Sequence, residues 1–250
     1  MKKIILWVVV FAIVGGGLLL TEAGDTVTAT KSYNEAVSSY NQYAEAYNSA
    51  VSQCSIDNIE GLPDKLEFIN EESEALIDNI RVLIGPNSKE QIMEDTKTVR
   101  GITGQVRNAA QIVRQITAPE GNWVMCRLSS VDTIGGIQAV TVQQNPDGLL
   151  GKEGGYSACI YFTVSDIDST DVPGNSIVEK GTDAGGAVEI YPTLEDAQNR
   201  CAYLAGFDDT FLYSGSYAIV GTMVIRTSYQ LTNERQMALT SAIAAALTSI

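Results

Sequence analysis

Three runs of apolar residues in the first half of the chain share one spacing. Tyr33, Val37, Tyr40, Ala44, Tyr47, Val51 and Cys54 recur at intervals of four and three. Leu66, Ile69, Ser73, Leu76, Ile80 and Leu83 repeat the pattern, and so do Val99, Ile102, Val106, Ala109, Val113 and Ile116. At 3.6 residues per turn each set falls on one side of a helix. No such helix can bury its seam alone, so residues 25–119 predict a three-helix antiparallel bundle or coiled coil. The punctuation agrees. Pro63-Asp64 with Glu67 reads as a helix start, Gly85-Pro86 as a stop, and Ser88 with Gln91 as the next capping box. Pro119 and Gly121 end the third helix.

From Asn122 the periodicity changes. Asn122 caps an expected short helix over 123–131, broken by Gly135-Gly136. Strands are expected over 137–142, 156–164 and 187–191, the second with Ala158, Ile160, Phe162 and Val164 alternating onto one face. Asn145-Pro146-Asp147-Gly148 reads as a turn. Thr193, with Asp196 at the reciprocal position, caps a helix whose buried stripe is Leu194, Ala197, Cys201 and Leu204. The run 217–226 is apolar on both faces and reads as a fourth, central strand. Thr232 caps a last helix with Leu239, Ile243, Ala246 and Ile250 inward. The expected fold class is therefore α+β. A helical bundle over 25–119 precedes a small sandwich over 122–250, in which helices pack on a mostly antiparallel four-stranded sheet.

Residues 1–23 read as a signal anchor or signal peptide. Lys2 and Lys3 precede an uninterrupted apolar run over 4–20. That pattern predicts export, with a transmembrane helix holding the protein in the membrane if the leader is retained, and secretion if it is cleaved before Gly24. No Cys follows the run, so there is no lipoprotein acylation point.

The charge limits the partners. The formal net charge is −14, and both halves share it: 8 bases and 14 acids over 25–119, 6 and 15 over 120–250. Counted this way the chain carries no basic stripe for phosphates, which argues against nucleic acid and against anionic lipid headgroups. A protein or cell-wall partner remains open. The chain has no histidine. Ser-His-Asp and Cys-His machinery, histidine-ligated zinc and a histidine pH switch are excluded. No cofactor motif is present.

The segment from Trp123 onward resembles a module near the C-termini of secreted and surface proteins of Gram-positive bacteria. The stretches that carry the likeness are NWVMCRLSSVDTI, NPDGLLGKEGGY, GNSIVEKGTDAGGAVEIY, DAQNRCAYLAGFD and SGSYAIVGTMVIRTS. The resemblance implies a cell-envelope location and no particular activity. The helical half resembles no family in the same way.

Few residues suggest chemistry. Asp166, Asp168 and Asp171 offer hard oxygen ligands for calcium, but their spacing misses the twelve-residue calcium loop, and a solvated acidic loop is the plainer reading. Glu179, Lys180, Thr182 and Asp183, followed by Gly185-Gly186, form the densest polar stretch and a weak ligand-binding candidate. Arg226 joins them as a carboxylate binder or a salt-bridged structural residue. Cys54, Cys126, Cys159 and Cys201 allow three disulfide pairings; a Cys159–Cys201 bridge requires the 194–204 helix to cover the Cys159 face. No catalytic residue stands out. The reading is a non-enzymatic binding or assembly protein of the envelope. An extracellular enzyme or inhibitor acting through sheet-edge loops, and an oligomeric stalk, are the alternatives.

Overall fold

The computed structural model describes residues 23–53, 71, 89–208 and 215–250. Those residues divide into two compact units, one built on 23–52 and 89–111, the other on 112–208 and 215–250. The leader over 4–20, Cys54, and the seam from Leu66 to Leu83 with its caps lie outside the described residues. The transmembrane helix expected above is corrected on what is described: no helix among the described residues is long and apolar enough to cross a membrane.

In the first unit, α1 spans Ala23–Val51, and α2 begins at Lys89 and reaches Gln115, the last four residues counting with the second unit. Both expected seams are buried. Tyr33, Val37, Tyr40, Ala44, Tyr47 and Val51 on α1, and Val99, Ile102, Val106 and Ala109 on α2, lose nearly all solvent contact. The two helices meet between Ser32–Ser39 and Asp95–Thr103. Asp95 faces Tyr33, Arg100 donates to the Ser32 hydroxyl at 2.9 Å, and Glu35, Ala36 and Ser39 share a shallow hollow with Arg100 and Thr103. Two glycines interrupt α2, Gly101 and Gly104, each about 1 kcal/mol less favourable than alanine inside a helix.

The second unit is a five-stranded sheet with helices on both faces. Its strands are β1 (Ile134–Ala139), β2 (Ala158–Val164), β3 (Gly185–Ile190), β4 (Tyr217–Val220) and β5 (Met223–Thr227). The spatial order is β1-β2-β3-β5-β4, and all four pairings are antiparallel. Helices α3 (Gly121–Leu128) and α6 (Asn233–Thr248) cover the face that carries Ile160, Phe162, Val188, Ile190, Met223 and Ile225. Helix α5 (Leu194–Ala205) covers the other face, where Ala197 and Leu204 join Cys159, Tyr161, Ala187 and Val224 in one cluster. A short α4 (Ile177–Lys180) and a 3-10 turn (Gly181–Ala184) lead into β3.

The local signals for caps and turns hold. Thr193 Oγ1 accepts the Asp196 amide at 3.1 Å, and Thr232 Oγ1 accepts that of Arg235 at 3.3 Å. The amide of Gly148 closes the expected turn on the Asn145 carbonyl. The last helix departs from expectation at its end, where Ile250 is exposed. Its terminal carbonyls are capped by side chains instead. Gln115 Nε2 donates to the carbonyls of Leu247 and Ser249 at 2.8 and 3.0 Å, and Arg127 Nη2 to that of Ser249 at 3.0 Å.

The expected four-stranded sheet is corrected to five strands. The run 217–226 is a hairpin, folded at Gly221-Thr222, so only β5 is central and β4 is an edge. Gly221 sits at φ +64, and a positive φ at the first position of a two-residue loop fits the type II′ hairpin. The turn docks on the end of α2. Thr222 donates its amide to the Ile116 carbonyl at 3.0 Å, and its fully buried hydroxyl accepts the Ala118 amide at 2.7 Å. Continuous apolarity hid the turn, because the buried β5 and the partly buried edge strand β4 are both apolar. Gly135-Gly136, read as a helix breaker, lies inside β1, and the preceding helix begins at Gly121 rather than after an Asn122 cap.

Candidate functional site

Strand β3 runs through the middle of the sheet, and all six of its residues are buried. Its alternation puts Ala187 and Glu189 on the face beneath α5. Cross-strand register then sets two rows over that face: Cys159, Glu189, Val224 and Ile219 in one, Tyr161, Ala187, Arg226 and Tyr217 in the next. A carboxylate therefore stands among apolar neighbours with 0 % exposure. Such a charge requires partners, since an isolated buried carboxylate is far too unfavourable to persist.

The partners come from three elements. Helix α5, started by its Thr193 cap and seated by Ala197 and Leu204, carries Arg200 over Glu189. Its Nε donates to Oε2 at 2.8 Å and its Nη2 to Oε1 at 2.9 Å, a bidentate pair. Arg226 Nη1, from β5, donates to Oε1 at 2.9 Å. Tyr191 Oη, just past β3, donates to Oε2 at 2.9 Å. Both arginine side chains are 12 % exposed, so their charges are largely withdrawn from water.

The electrostatics follow from this packing. Burial alone would raise the Glu189 carboxyl, but the hydrogen bonds from Arg200 and the charges of both arginines outweigh it and hold the carboxyl below the ordinary range. Burial raises the Tyr191 hydroxyl, and the neighbouring Glu189 charge adds to that. Tyr156 lies edge-on to Tyr191, ring centroids 6.4 Å apart, and donates to Asp147 Oδ1 at 2.5 Å. Burial first, then the Asp147 acceptor, keeps its hydroxyl protonated. Burial and the nearby Glu189 also raise both thiols, Cys159 well up and Cys201 to about 11. At neutral pH neither is a thiolate, the form a nucleophile needs.

This centre joins carboxylate, guanidinium, phenol and thiol groups, yet each of the Glu189 oxygens is already engaged by donors of the same chain. Its chemical effect is to clamp α5 to the sheet. Arg226, a residue the sequence singles out, is a member. Glu189 and Arg200 are not legible as a site in the sequence. The available signal was a single acid inside the apolar run Ala187-Val188-Glu189-Ile190-Tyr191.

The other sequence candidates lie elsewhere. Glu179 accepts the Asn175 amide at 2.8 Å, Lys180 Nζ donates to the Ser169 carbonyl, and the Asp183 carbonyl accepts the Ser228 hydroxyl at 3.0 Å. Thr182 is buried in the 3-10 turn. Asp166 pairs with Arg235 at 3.3 Å. Asp168 accepts from the Thr170 hydroxyl and amide, which lowers its carboxyl, and its own carbonyl accepts the Asp171 amide. Among the described residues no three His, Cys, Asp or Glu side chains converge as a metal site would need. Helix α5 does cover the Cys159 face, yet Cys159 and Cys201 are both free thiols, as is the exposed Cys126. An open hollow of about 380 Å³ between α6 and the α3–β1 loop is lined by Ser130, Val131, Asp132, Thr133, Ala242 and Ala246, none of them a candidate above. No family model, no curated protein and no solved structure matches this chain.

Proposed function

We propose that this chain is an exported cell-envelope protein that acts by binding or assembly rather than by catalysis. One observation carries the reading. The densest convergence of ionisable groups among the described residues, around Glu189, is closed on itself beneath α5, whereas an enzyme brings such groups to a cleft where substrate can meet them. The export half of the reading rests on Lys2-Lys3 and the apolar run that follows. Photo-cross-linkers placed on exposed positions of α2, α5 and α6 in intact cells are the direct test. A discrete adduct mapped to one surface supports a binding module, and recovery of the protein only from the cytosol overturns the location.

The first unit reads as an up-down-up bundle of three helices. Helix α1, 29 residues long, rises about 43 Å and buries one apolar seam along its length. The heptad spacing from Leu66 to Leu83 would give a third helix an apolar face of the same kind. Replacing Leu76 with Asp should then lower the melting temperature of the whole protein; an unchanged melt would remove the third helix from the bundle.

A further inference from the structure

We infer that the Asp147-Gly148 turn is a self-modification site. The Asp147 side chain closes on the Gly148 amide to give a succinimide, and water reopens that ring to isoaspartate. The inference is independent of the binding reading.

The two reacting groups adjoin in the chain, and the fold arranges what surrounds them. The sequence holds one Asp-Gly pair and no Asn-Gly pair. Both residues of the pair are exposed, in the turn that the Gly148 amide closes on the Asn145 carbonyl at 3.2 Å. Gly148 sits at φ +70, and a Cβ built on it would meet nothing within 4 Å among the described residues. No side chain of its own screens the Gly148 nitrogen. Asp147 Oδ1 accepts the Leu149 amide at 3.3 Å. A carboxylate bonded to the amide two residues on is folded across the peptide between, and that peptide carries the Gly148 nitrogen.

A second donor reaches the same oxygen from the core. Tyr156 is fully buried, and its Oη donates to Asp147 Oδ1 at 2.5 Å. Asn145 Oδ1 is the farther acceptor at 3.2 Å, so the single hydroxyl proton goes to Asp147. Burial first, then the Asp147 acceptor, keeps that hydroxyl protonated. Attack on Cγ drives negative charge onto Oδ1. The Leu149 amide and the Tyr156 hydroxyl already point there, and they stabilise the charge as an oxyanion hole does.

The step balances with water alone. The bond from the Gly148 nitrogen to Cγ forms, and the Cγ–Oδ2 bond breaks. Oδ2 leaves as water, with the amide proton and one proton from solvent. Water then opens the imide at either carbonyl. One opening restores aspartate. The other leaves the main chain running through the former side chain, longer by one methylene, with the carboxylate on a different carbon. Tyr156 then loses its acceptor, beside Tyr191, whose hydroxyl binds Glu189.

The test ages the full chain in warm neutral buffer and digests it. The Asp147 peptide is read by mass spectrometry for loss of one water and by chromatography for isoaspartate. The native chain should modify Asp147 about tenfold faster than the same chain in urea, where the two donors are no longer held in place. Tyr156→Phe, checked for folding by circular dichroism, should bring the rate down to the urea level. Asn145→Ala removes the competing acceptor and should leave the rate unchanged or raise it. A native rate at or below the urea rate would overturn the proposal, because the turn would then protect Asp147. Equal rates in native and folded Tyr156→Phe protein would overturn it too, as would slower modification in Asn145→Ala. The native-to-urea comparison needs no variant, so it decides even where Tyr156→Phe fails to fold.

Discussion

Glu189 has water on neither side of its strand, and its ionisation is set by what touches it. Removing its charge leaves Arg200 and Arg226 buried against each other, and breaking a buried pair in this way costs about 3–5 kcal/mol. Glu189→Gln should therefore shift the urea midpoint far down, measured by circular dichroism. The pH dependence has a definite sign. The folded carboxyl is held below its unfolded value of about 4.3, so its stabilisation is present above that value and is lost as pH falls through the folded one. An acid titration of stability should flatten in the Gln variant; an unchanged acid limb would show that other carboxylates set it. The thiols report burial directly. In a Cys54→Ser background, an aromatic disulfide reagent should label Cys126 in the native protein and Cys159 only after unfolding.

At the scale of elements, the hairpin joining β4 to β5 shows what one residue can require. A Cβ on Gly221 would stand 2.0 Å from the Ile116 carbonyl, at a φ that side chains resist. Gly221→Ala should destabilise by more than about 2 kcal/mol, from the left-handed strain and the displaced turn together. Gly104→Ala in α2 should do the opposite, stabilising by about 1 kcal/mol, because its Cβ meets nothing within 4 Å among the described residues. Thermal melts of the two variants check both signs.

For the whole molecule, the second unit begins inside α2, at Ile112, ahead of the apparent break at Pro119. Ile116 is fully buried, and its carbonyl, the Ala118 amide and the Gln115 side chain all hold later parts of the unit. A fragment starting at Glu120 should thus melt well below one starting at Ile112, with a loss of at least about 2–5 kcal/mol for the missing isoleucine alone. Equal melts would mean that these contacts add nothing to the unit.

What the sequence determined by itself was what short-range chemistry dictates. The seams of α1 and α2, the Thr193 and Thr232 caps, the Asn145–Gly148 turn and the alternation of β2 depend on residues a few positions apart, and periodicity shows them. Tertiary structure decided the rest. Whether 217–226 was one strand or two depended on Ile116 receiving the turn, a contact across about a hundred residues. Glu189 became the centre of the α5 face only because register placed it beside Arg226 and beneath Arg200. Burial on both faces of a sheet erases the pattern that marks strand ends, and a buried charge is legible only once the elements that neutralise it have met.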